Sequence, residues 1–264
     1  MNQKRHRNFR ILEFKNNAFD VIGDIHGCYN EFMILLKKLG YEKGEKAYIH
    51  PHGRRLISVG DVANKGYANI KCLEFWINQV KYGGGFWIHG NHCNKLYHYF
   101  LGNQMHISRG LENTMKELSQ LCVEEREYFK RRFMQCYESQ CYYLVLDKRN
   151  LVVVHGGWRE EFLGKCSNVI KNVCLYGEKT GHILENGIAE RLDWVLQYKG
   201  KAFVVYGHTV TEKPIVVNHT AAIDQGCVYG GYLTALRYPE IEFVQVKSHK
   251  TYTKYTGQGN IVFE

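Results

Sequence analysis

The chain has 264 residues, of which 45% are hydrophobic, and its formal net charge is +9 with histidine counted as neutral. This length suits one large domain or two small ones with a sizeable core. No apolar stretch approaches the about 20 residues that cross a bilayer, and the basic N-terminus lacks the apolar middle of a secretory signal, so we expect neither a membrane protein nor a secreted one.

The cysteines and the charge suggest the compartment and the kind of partner. The nine cysteines are odd in number and include no C-x-x-C pair, which predicts reduced thiols in a cytoplasmic protein. A basic surface favours anionic partners, and both phosphorylated molecules and nucleic acid qualify. The basic residues are spread along the chain, so charge alone does not choose between them.

The first part of the chain alternates predicted strands and helices. Residues 18–24 form a short apolar run that ends at a glycine, which is typical of a buried strand. In the next segment, 28–41, apolar residues recur at helical spacing and Gly40 is a plausible stop. The further elements are a strand over 54–61, a helix over 68–83 and a strand over 85–92. This β-α-β-α-β order predicts a layered α/β sheet.

The remainder of the chain is first helical and then rich in strands. Residues 94–140 are highly charged and predict a helical insertion or lid. Strands are predicted over 140–147, 151–157, 201–209, 214–224 and 232–247. We therefore expect an α/β (α+β) fold in which two mixed β-sheets face each other with helices outside. The chain is interpreted as a single domain, 1–264, with a basic N-terminal arm at 1–17.

Polar side chains stand beside glycines where the predicted strands end. The segments are Gly23-Asp24-Ile25-His26, Gly60-Asp61, Gly90-Asn91-His92, His155-Gly156-Gly157 and Gly207-His208. Ligand sites in α/β sheets gather at the carboxyl ends of strands, so these five ends could meet. Each motif alone is more often a turn or a structural histidine, and only their ordered co-occurrence favours a site.

The residue types in these segments indicate divalent metal. Carboxylate, amide and imidazole groups suit Mn, Fe, Zn or Ni rather than a closed cysteine site. Six such ligands exceed the needs of one open catalytic ion. If one carboxylate bridges, they fit two ions about 3.5–4 Å apart, an arrangement that drives hydrolytic phosphoryl transfer.

The ordered motifs resemble a known family. The series GDIHG, GDVANKG, GNHCNKL, HGG and GHT resembles the metallophosphatases of the protein Ser/Thr phosphatase type. The longer runs GNHCNKLYHYFLGN, RGLENTMKEL, RLDW, VVYGHT and IDQGCVYGGYLTAL resemble the bacterial bis(5′-nucleosyl)-tetraphosphatases of the PrpE type. The phosphatase domain of bacterial polynucleotide kinase–phosphatase is a near relative. The resemblance runs from about residue 18 to residue 246, and it implies the calcineurin-like fold.

The resemblance implies hydrolysis of phosphoester or phosphoanhydride bonds, of a dinucleoside polyphosphate or of a Ser/Thr/Tyr phosphoprotein. It implies two divalent ions, most plausibly Mn, with Ni, Fe or Zn as alternatives. Asp24 and His26 would bind the first ion and Asp61 would bridge both. The second ion would be held by Asn91, His155 and His208.

The catalytic and phosphate-binding roles also follow from the resemblance. A metal-bound hydroxide would attack phosphorus, and His92 would protonate the leaving oxygen. Asn91 would also contact the phosphate. Arg159 follows the HGG motif, where the relatives place a phosphate-binding arginine, and Asp224 matches an acidic position behind the metal ligands.

The second motif departs from the family pattern. Asn64-Lys65 stands where the family has Asp-Arg, and that aspartate normally hydrogen-bonds the acid histidine. Asn64 can accept the same bond without the charge, and Lys65 keeps a positive charge for phosphate but loses the two-pronged grip of arginine. Three readings stay open: a slower enzyme, an altered acid arrangement, or a module that has lost turnover and binds nucleotide, phosphoprotein or RNA. The intact ligand set favours a working hydrolase. We expect a phosphorylated substrate, no membrane and no obligate protein partner, with nucleic acid an alternative that we do not expect.

Overall fold

The structure is a computed structural model that describes residues 9–103, 110–183 and 189–255. The α-helices of these residues are α1 (Tyr29–Leu39), α2 (Asn69–Tyr82), α3 (Asn91–Phe100), α4 (Glu112–Ser119), α5 (Val123–Ser139), α6 (Asn168–Tyr176) and α7 (Trp194–Gln197). Short 3-10 helices cover Asp147–Arg149, Glu160–Phe162 and Cys227–Tyr229.

The strands build two larger sheets and two hairpins. They are β1 (Phe9–Ile11), β2 (Phe19–Ile22), β3 (Glu42–Lys43), β4 (Tyr48–Ile49), β5 (Arg55–Ser58), β6 (Phe86–Trp87), β7 (Tyr143–Leu146), β8 (Leu151–Val154), β9 (Lys179–Ile183), β10 (Ala189–Arg191), β11 (Phe203–Tyr206), β12 (Ile215–Val217), β13 (Thr220–Ala222), β14 (Asp224–Gln225), β15 (Tyr232–Tyr238) and β16 (Glu242–Lys247). One sheet has the order β1-β7-β8-β11-β13-β12, and the other has the order β14-β15-β2-β5-β6 with β16 paired to β15. Both sheets mix parallel and antiparallel pairs. The pairs β3–β4 and β9–β10 stand apart.

The two sheets face each other because their strands alternate apolar side chains between two cores. On β8, Leu151 and Val153 join the core between the sheets, whereas Val152 and Val154 join a second core under α6 and α7. On β2, Val21 faces the other sheet and Ile22 faces the helices. Successive strand side chains point to opposite faces, so apolar residues on both faces require cover on both sides. The expected fold of two facing mixed sheets flanked by helices is confirmed.

The helices of residues 112–139 belong to the layer that covers one sheet. Phe129 and Phe133 of α5 are buried in the core that α1 and α2 also build. The Glu117 carboxylate of α4 accepts hydrogen bonds from the backbone N–H groups of Asn69 and Ile70, each at 2.9 Å, and so caps the N-terminus of α2. Residues 104–109 of the expected 94–140 insertion lie outside the described chain.

Several boundaries differ from the sequence-based expectation. The segments 214–224 and 232–247, each expected as a strand, instead contain the antiparallel pairs β12–β13 and β15–β16. The strand expected over 85–92 is only Phe86–Trp87, and α3 begins at Asn91. The reason is the Asp61 carboxylate, which accepts a hydrogen bond from the backbone N–H of His92 at 2.8 Å and so favours a helix start there. Of the expected N-terminal arm, residues 1–8 lie outside the described chain. Residues Phe9–Ile11 form the edge strand β1, parallel to β7.

Candidate metal centre

The strand ends that carry polar residues meet at one edge of the paired sheets. Strands β2, β5 and β6 run parallel, as do β8 and β11, so their carboxyl ends point the same way. The approach is close: a Cβ at Gly207 would overlap Oδ1 of Asp24, and one at Gly90 would overlap Oδ1 of Asp61. These two glycines are therefore required by space, not only by turn geometry.

Two groups of potential ligands share one carboxylate. His26, Asp61 and His92 form one group, and Asp61, His155 and His208 form the other; in each group the ligand atoms lie within 4.8 Å of one another. Asp24 joins the first group, with its Oδ2 at 3.8 Å from Nε2 of His26. Asn91 joins the second, with its Oδ1 at 2.9 Å from Nε2 of His155. Asp61 stands between the two groups, as a bridging ligand must.

Backbone carbonyl groups fix the orientation of two histidines. Nδ1 of His26 lies 3.2 Å from the Ala63 carbonyl oxygen, and Nδ1 of His155 lies 3.1 Å from that of Val59. An Nδ1–H donated to a carbonyl leaves Nε2 as the free ligand atom. In both residues Nε2 is the atom nearest Asp61, at 3.8 Å from its Oδ2 for His26 and 3.4 Å for His155.

The backbone of the centre is held in an unusual conformation. His26, Asp61 and His208 have φ values of 47°, 40° and 66°, in the left-handed region that side chains other than glycine rarely adopt. Such strain persists only where the surroundings enforce it, and it clusters at functional sites. Here it aims the side chains inward from sharp turns.

The buried charges and pKa shifts of the centre favour the binding of cations. Burial, with the carboxylates of Asp224 and Asp61 nearby, raises the pKa of Asp24 well above its usual value. Burial and the Lys65 ammonium lower the pKa of His26 to about 3, so its imidazole is neutral and able to bind metal. Burial alone would raise the pKa of Asp61, but His155 and His92 hold it well below its usual range. Buried carboxylates beside imidazoles make a donor set that fits two divalent ions.

His92 belongs to the first of these groups, and its ring lies beside that of His26. Its ring centroid is 4.9 Å from that of His26, and its side chain is buried. Burial and the Lys65 ammonium lower its pKa well below the usual value. Within the described residues, Nδ1 of His92 has no hydrogen-bond partner.

Asn64 does not orient the His92 ring as the sequence led us to expect. Its Oδ1 accepts a hydrogen bond from the Thr114 hydroxyl at 2.6 Å, and its Nδ2 donates to the backbone carbonyl of His92 at 2.8 Å. A carbonyl oxygen can only accept, so the amide must present its NH₂ group there. Asn64 is therefore a positioning residue that ties the start of α3 to α4.

Lys65 lies at the centre, where the sequence predicted a phosphate contact. Its Nζ is 2.9 Å from Nε2 of His26 and 5.1 Å from the ring centroid of Tyr229. Burial alone would lower its pKa, but Tyr229 and Asp61 outweigh that effect and raise it. Lys65 is thus a charged ammonium group beside the ligands.

The two remaining predicted residues differ in their placement. Asp224 is buried and lines the same cleft, with its Oδ1 accepting a hydrogen bond from the Gly226 N–H at 3.0 Å. Arg159 is not among the described residues that line the cleft, and its guanidinium pairs with Glu161 and Glu178 on the surface. The structure therefore brings Asp224 to the site and does not bring Arg159 there.

Sequence reasoning missed the residues that support Asn64 and Lys65. Thr114 holds Asn64, the Gly110 carbonyl accepts from the Lys65 N–H at 2.8 Å, and Nδ2 of Asn113 donates to the Lys65 carbonyl at 2.7 Å. All three lie in the run RGLENTMKEL, whose resemblance to the tetraphosphatases was the only signal for them.

The potential ligands, with the exception of His155, line a cleft of about 820 Å³. Beyond the ligands, its wall carries cationic and aromatic side chains, among them Lys65, Lys254, Trp194, Tyr206, Tyr229 and Tyr255. The rings of Tyr229 and Tyr255 lie 5.0 Å apart at an edge-to-face angle. Cations beside aromatic rings suit a ligand that combines phosphates with a planar base.

The geometry agrees with what the chain resembles as a whole. The sequence profile of calcineurin-like phosphoesterases matches residues 18–212. The chain belongs to this family of metallophosphoesterases, whose members use a dinuclear divalent metal centre, and it is a hydrolase of phosphoester or phosphoanhydride bonds.

Individual relatives make the resemblance more specific than the family profile does. The chain is 43% identical over 233 residues to the protein named bis(5′-nucleosyl)-tetraphosphatase PrpE [asymmetrical] of Geobacillus sp. (strain WCH70), which covers 88% of this chain and 95% of that one. It is 44% identical over 229 residues to the protein of the same name in Geobacillus thermodenitrificans (strain NG80-2), covering 87% of this chain and 94% of that one.

Solved structures confirm the fold. A protein serine/threonine phosphatase from Saccharomyces cerevisiae superimposes with a TM-score of 0.60 at 13% identity, covering 96% of this chain and 86% of that one. A cold-active protein-tyrosine phosphatase from a Shewanella species gives 0.54 at 15% identity, covering 93% and 81%. Among the described residues, no helix has both the length and the apolar character needed to cross a membrane.

Proposed function

We propose that this enzyme hydrolyses dinucleoside tetraphosphates and splits them asymmetrically, into a nucleoside triphosphate and a nucleoside monophosphate. The observation that carries the proposal is the pair of ligand groups joined at Asp61, set in a cleft whose wall offers both cations and aromatic rings. The printed name of relatives at 43% identity supports the same substrate.

In this proposal six side chains hold two ions, for which Mn is our first choice and Ni, Fe and Zn are alternatives. Asp24, His26 and Asp61 would hold the first, and Asp61 together with Asn91, His155 and His208 would hold the second. Divalent ions at such a site polarise the phosphoryl oxygens and supply a nucleophile at neutral pH.

The other residues bind the substrate and manage the proton. The Lys65 ammonium offers a positive charge to a phosphate oxygen, and the amide of Asn91 lies beside the same space. Water oxygen forms the new bond to phosphorus as the bond to the leaving oxygen breaks. His92 in its protonated form donates a proton to that leaving oxygen, and the proton that the attacking water gives up replaces it. Asn64 holds the His92 backbone in place. Asp224 lies behind the ligands and adds negative charge next to Asp24.

The proposal is tested with the purified full chain, Mn²⁺ and diadenosine tetraphosphate, with the nucleotide products separated by anion exchange. We expect ATP and AMP in equal amounts, and no hydrolysis in excess EDTA. Phosphoserine and phosphotyrosine peptides serve as competing substrates and should be hydrolysed with a lower kcat/KM. Two molecules of ADP as products, or a phosphopeptide preferred over the dinucleotide, would contradict the proposed substrate.

A matched pair of variants separates the metal centre from the rest of the cleft. Asp61→Asn removes the shared carboxylate and should lower kcat by several decades. Asp193→Asn changes a carboxylate that lines the same cleft but belongs to neither ligand group, and it should retain activity within about threefold. Equal losses of kcat in both variants would show that activity depends on the cleft in general and not on the ligand set.

We also propose a cytoplasmic location. All nine cysteines lie in the described part of the chain, and none of the buried ones forms a disulfide among the described residues. Seven of them are buried, including Cys28 and Cys93 close to the metal ligands. A chain with many unpaired thiols suits a reducing compartment.

A further inference from the structure

A second depression lies apart from the metal centre, on the helical side of the molecule. It has a volume of about 1150 Å³ and shares no lining residue with the cleft of the metal centre. Helix α2 lies between the β3–β4 hairpin on one side and α5 on the other, and all three contribute to its lining. We call this depression the basic groove.

The charge of the basic groove is strongly positive. Its acidic side chains are Glu45 and Glu74, and each already pairs with a basic neighbour: Lys46 lies 3.7 Å from Glu45, and Arg132 lies 2.5 Å from Glu74. The lining residues that have no ion-pair partner within residues 9–103, 110–183 and 189–255 are Arg10, Lys43, Lys71, Lys81 and Arg131. Five unpaired cations in one groove make a strong anion-binding surface.

Arg10 adds a second sign that the groove favours an anion. Its Nε is buried and has no hydrogen-bond acceptor among the described residues. A buried donor without an acceptor is costly, and native proteins rarely leave one unused. The guanidinium lies over the ring of Phe86, 5.7 Å from its centroid, so its position is fixed by packing.

Aromatic rings alternate with the cations. The side chains of Tyr82 and Tyr128 line the groove and are exposed, at 47% and 55% of their surface. Nζ of Lys81 lies 4.9 Å from the ring centroid of Tyr82, and the guanidinium of Arg132 lies 5.3 Å from that of Tyr128. Exposed rings beside cations are the elements on which single-stranded nucleic acids stack their bases.

Side-chain contacts tie together the three elements that line the groove. The Gln79 side chain donates to the Tyr48 carbonyl at 2.8 Å and accepts from its N–H at 2.9 Å, which fixes the hairpin to α2. Arg132 of α5 contacts Glu74 and Asn78 of α2, the latter at 2.7 Å. A preorganised surface loses little entropy on binding.

We propose that the basic groove binds single-stranded nucleic acid. Its phosphates contact the unpaired lysines and arginines, and its bases stack on Tyr82 and Tyr128. An acidic peptide would use the charges but not the exposed rings, and a duplex keeps its bases stacked inside. Nucleic acid, which the sequence did not lead us to expect as a partner, thus has a place on the molecule away from the metal centre.

The test measures binding of fluorescein-labelled single strands of about 12 nucleotides, oligo(U) and oligo(dT), to the full chain by fluorescence anisotropy. Each phosphate contact to a single strand contributes a slope of about −0.7 to log K against log salt, so five contacts predict a slope near −3.5. The double charge reversal Lys81→Glu with Arg131→Glu should weaken binding by about tenfold or more and flatten that slope.

The matched control reverses two exposed lysines that do not line the groove, Lys165→Glu with Lys199→Glu, and it changes the net charge by the same amount. Binding should weaken far less in this control. Tyr82→Ala and Tyr128→Ala should each weaken binding about tenfold, because a stacking partner is lost. Tyr67→Ala, an exposed tyrosine outside the groove, should leave binding unchanged. Metal-dependent hydrolysis should be retained in every groove variant.

Three results would overturn the proposal. The control reversal could weaken binding as much as the groove reversal, which would mean that net charge alone attracts the strand. Duplex of the same length could bind as well as the single strand, which would remove the role of stacking. Poly-glutamate could displace the strand at equal charge concentration, and its binding could be unaffected by Tyr82→Ala. That result would assign the groove to acidic peptides.

Discussion

Replacing Asn64 with aspartate tests how this site uses its acid histidine. In the structure the Asn64 amide donates to the His92 carbonyl at 2.8 Å and accepts from Thr114 at 2.6 Å. An aspartate at this position still accepts the hydrogen bond from Thr114, but its second carboxylate oxygen replaces the NH₂ donor that faces the His92 carbonyl oxygen. Losing that buried hydrogen bond should lower the free energy of unfolding by about 1–3 kcal/mol.

We expect the new carboxylate to turn from the carbonyl to Nδ1 of His92, which has no partner in the described chain. The negative charge would offset the Lys65 ammonium, which, after burial, is the second cause that lowers the pKa of His92. A protonated His92 is the form that can donate. Since general acid catalysis contributes about 10²–10⁴-fold, restoring part of it should raise kcat by about tenfold.

The assay compares two phosphomonoesters with unlike leaving groups. An alkyl phosphate needs its leaving oxygen protonated, so Asn64→Asp should raise its kcat by that factor. For p-nitrophenyl phosphate, whose leaving group departs without a proton, kcat should change by less than about twofold. Thr114→Val is the control: it loosens Asn64 without adding charge and should leave the ratio of the two rates unchanged.

Two results would refute this reasoning. If Asn64→Asp lowers kcat equally on both esters, activity depends more on the hydrogen bond from Asn64 to the His92 carbonyl than on the charge at position 64. If kcat rises equally on both, the added carboxylate acts on the metal centre and not on proton donation.

Three further predictions concern binding and stability. Lys65→Met should raise KM for p-nitrophenyl phosphate about tenfold, because the positive charge beside the ligands contacts phosphate. Lys65→Arg keeps the charge and should keep KM near the wild-type value. Equal KM values for Lys65→Met and the wild type in steady-state kinetics would exclude that contact. Glu117→Gln should lower the free energy of unfolding in urea by about 1–2 kcal/mol, because its carboxylate caps α2 through two backbone N–H groups, and an unchanged urea midpoint would rule out this cap. The pKa of His26 is about 3 in the folded protein and 6.5 in the unfolded chain, so the unfolded state binds the proton first as pH falls. The metal-free protein should therefore lose stability between pH 6.5 and pH 3, and His26→Asn should lose less. Identical curves of stability against pH for the two proteins would contradict this prediction.

The convergence of the candidate metal ligands could be predicted from sequence because these residues are tied to local signals. Each follows or ends a strand beside a glycine, and the glycine is explained by space: Gly90 and Gly207 leave room for the carboxylates of Asp61 and Asp24. Short continuous runs of apolar residues likewise predicted most strands, because a strand between two cores needs apolar side chains on both faces.

The contacts around His92 could not be predicted in the same way. Asn64 meets Thr114 across 50 residues, and the chain gives no local pattern that says which helix supplies the hydroxyl. Arg159 was assigned by its position after a motif, but nearby glutamates pair with it on the surface. The shortened strand at Phe86–Trp87 depends on Asp61, a residue from another strand end. These features depend on tertiary contacts, which periodicity and spacing do not encode.

The most direct test of the central claim is the metal content of the chain and the distance between the ions. The protein is dialysed against Mn²⁺, analysed for bound metal, and examined by electron paramagnetic resonance. We predict two Mn²⁺ ions per chain with a spin-coupled spectrum, reduced to one or none in Asp61→Asn. A single ion in the wild type, or two ions with no magnetic coupling, would contradict a centre built around a shared carboxylate.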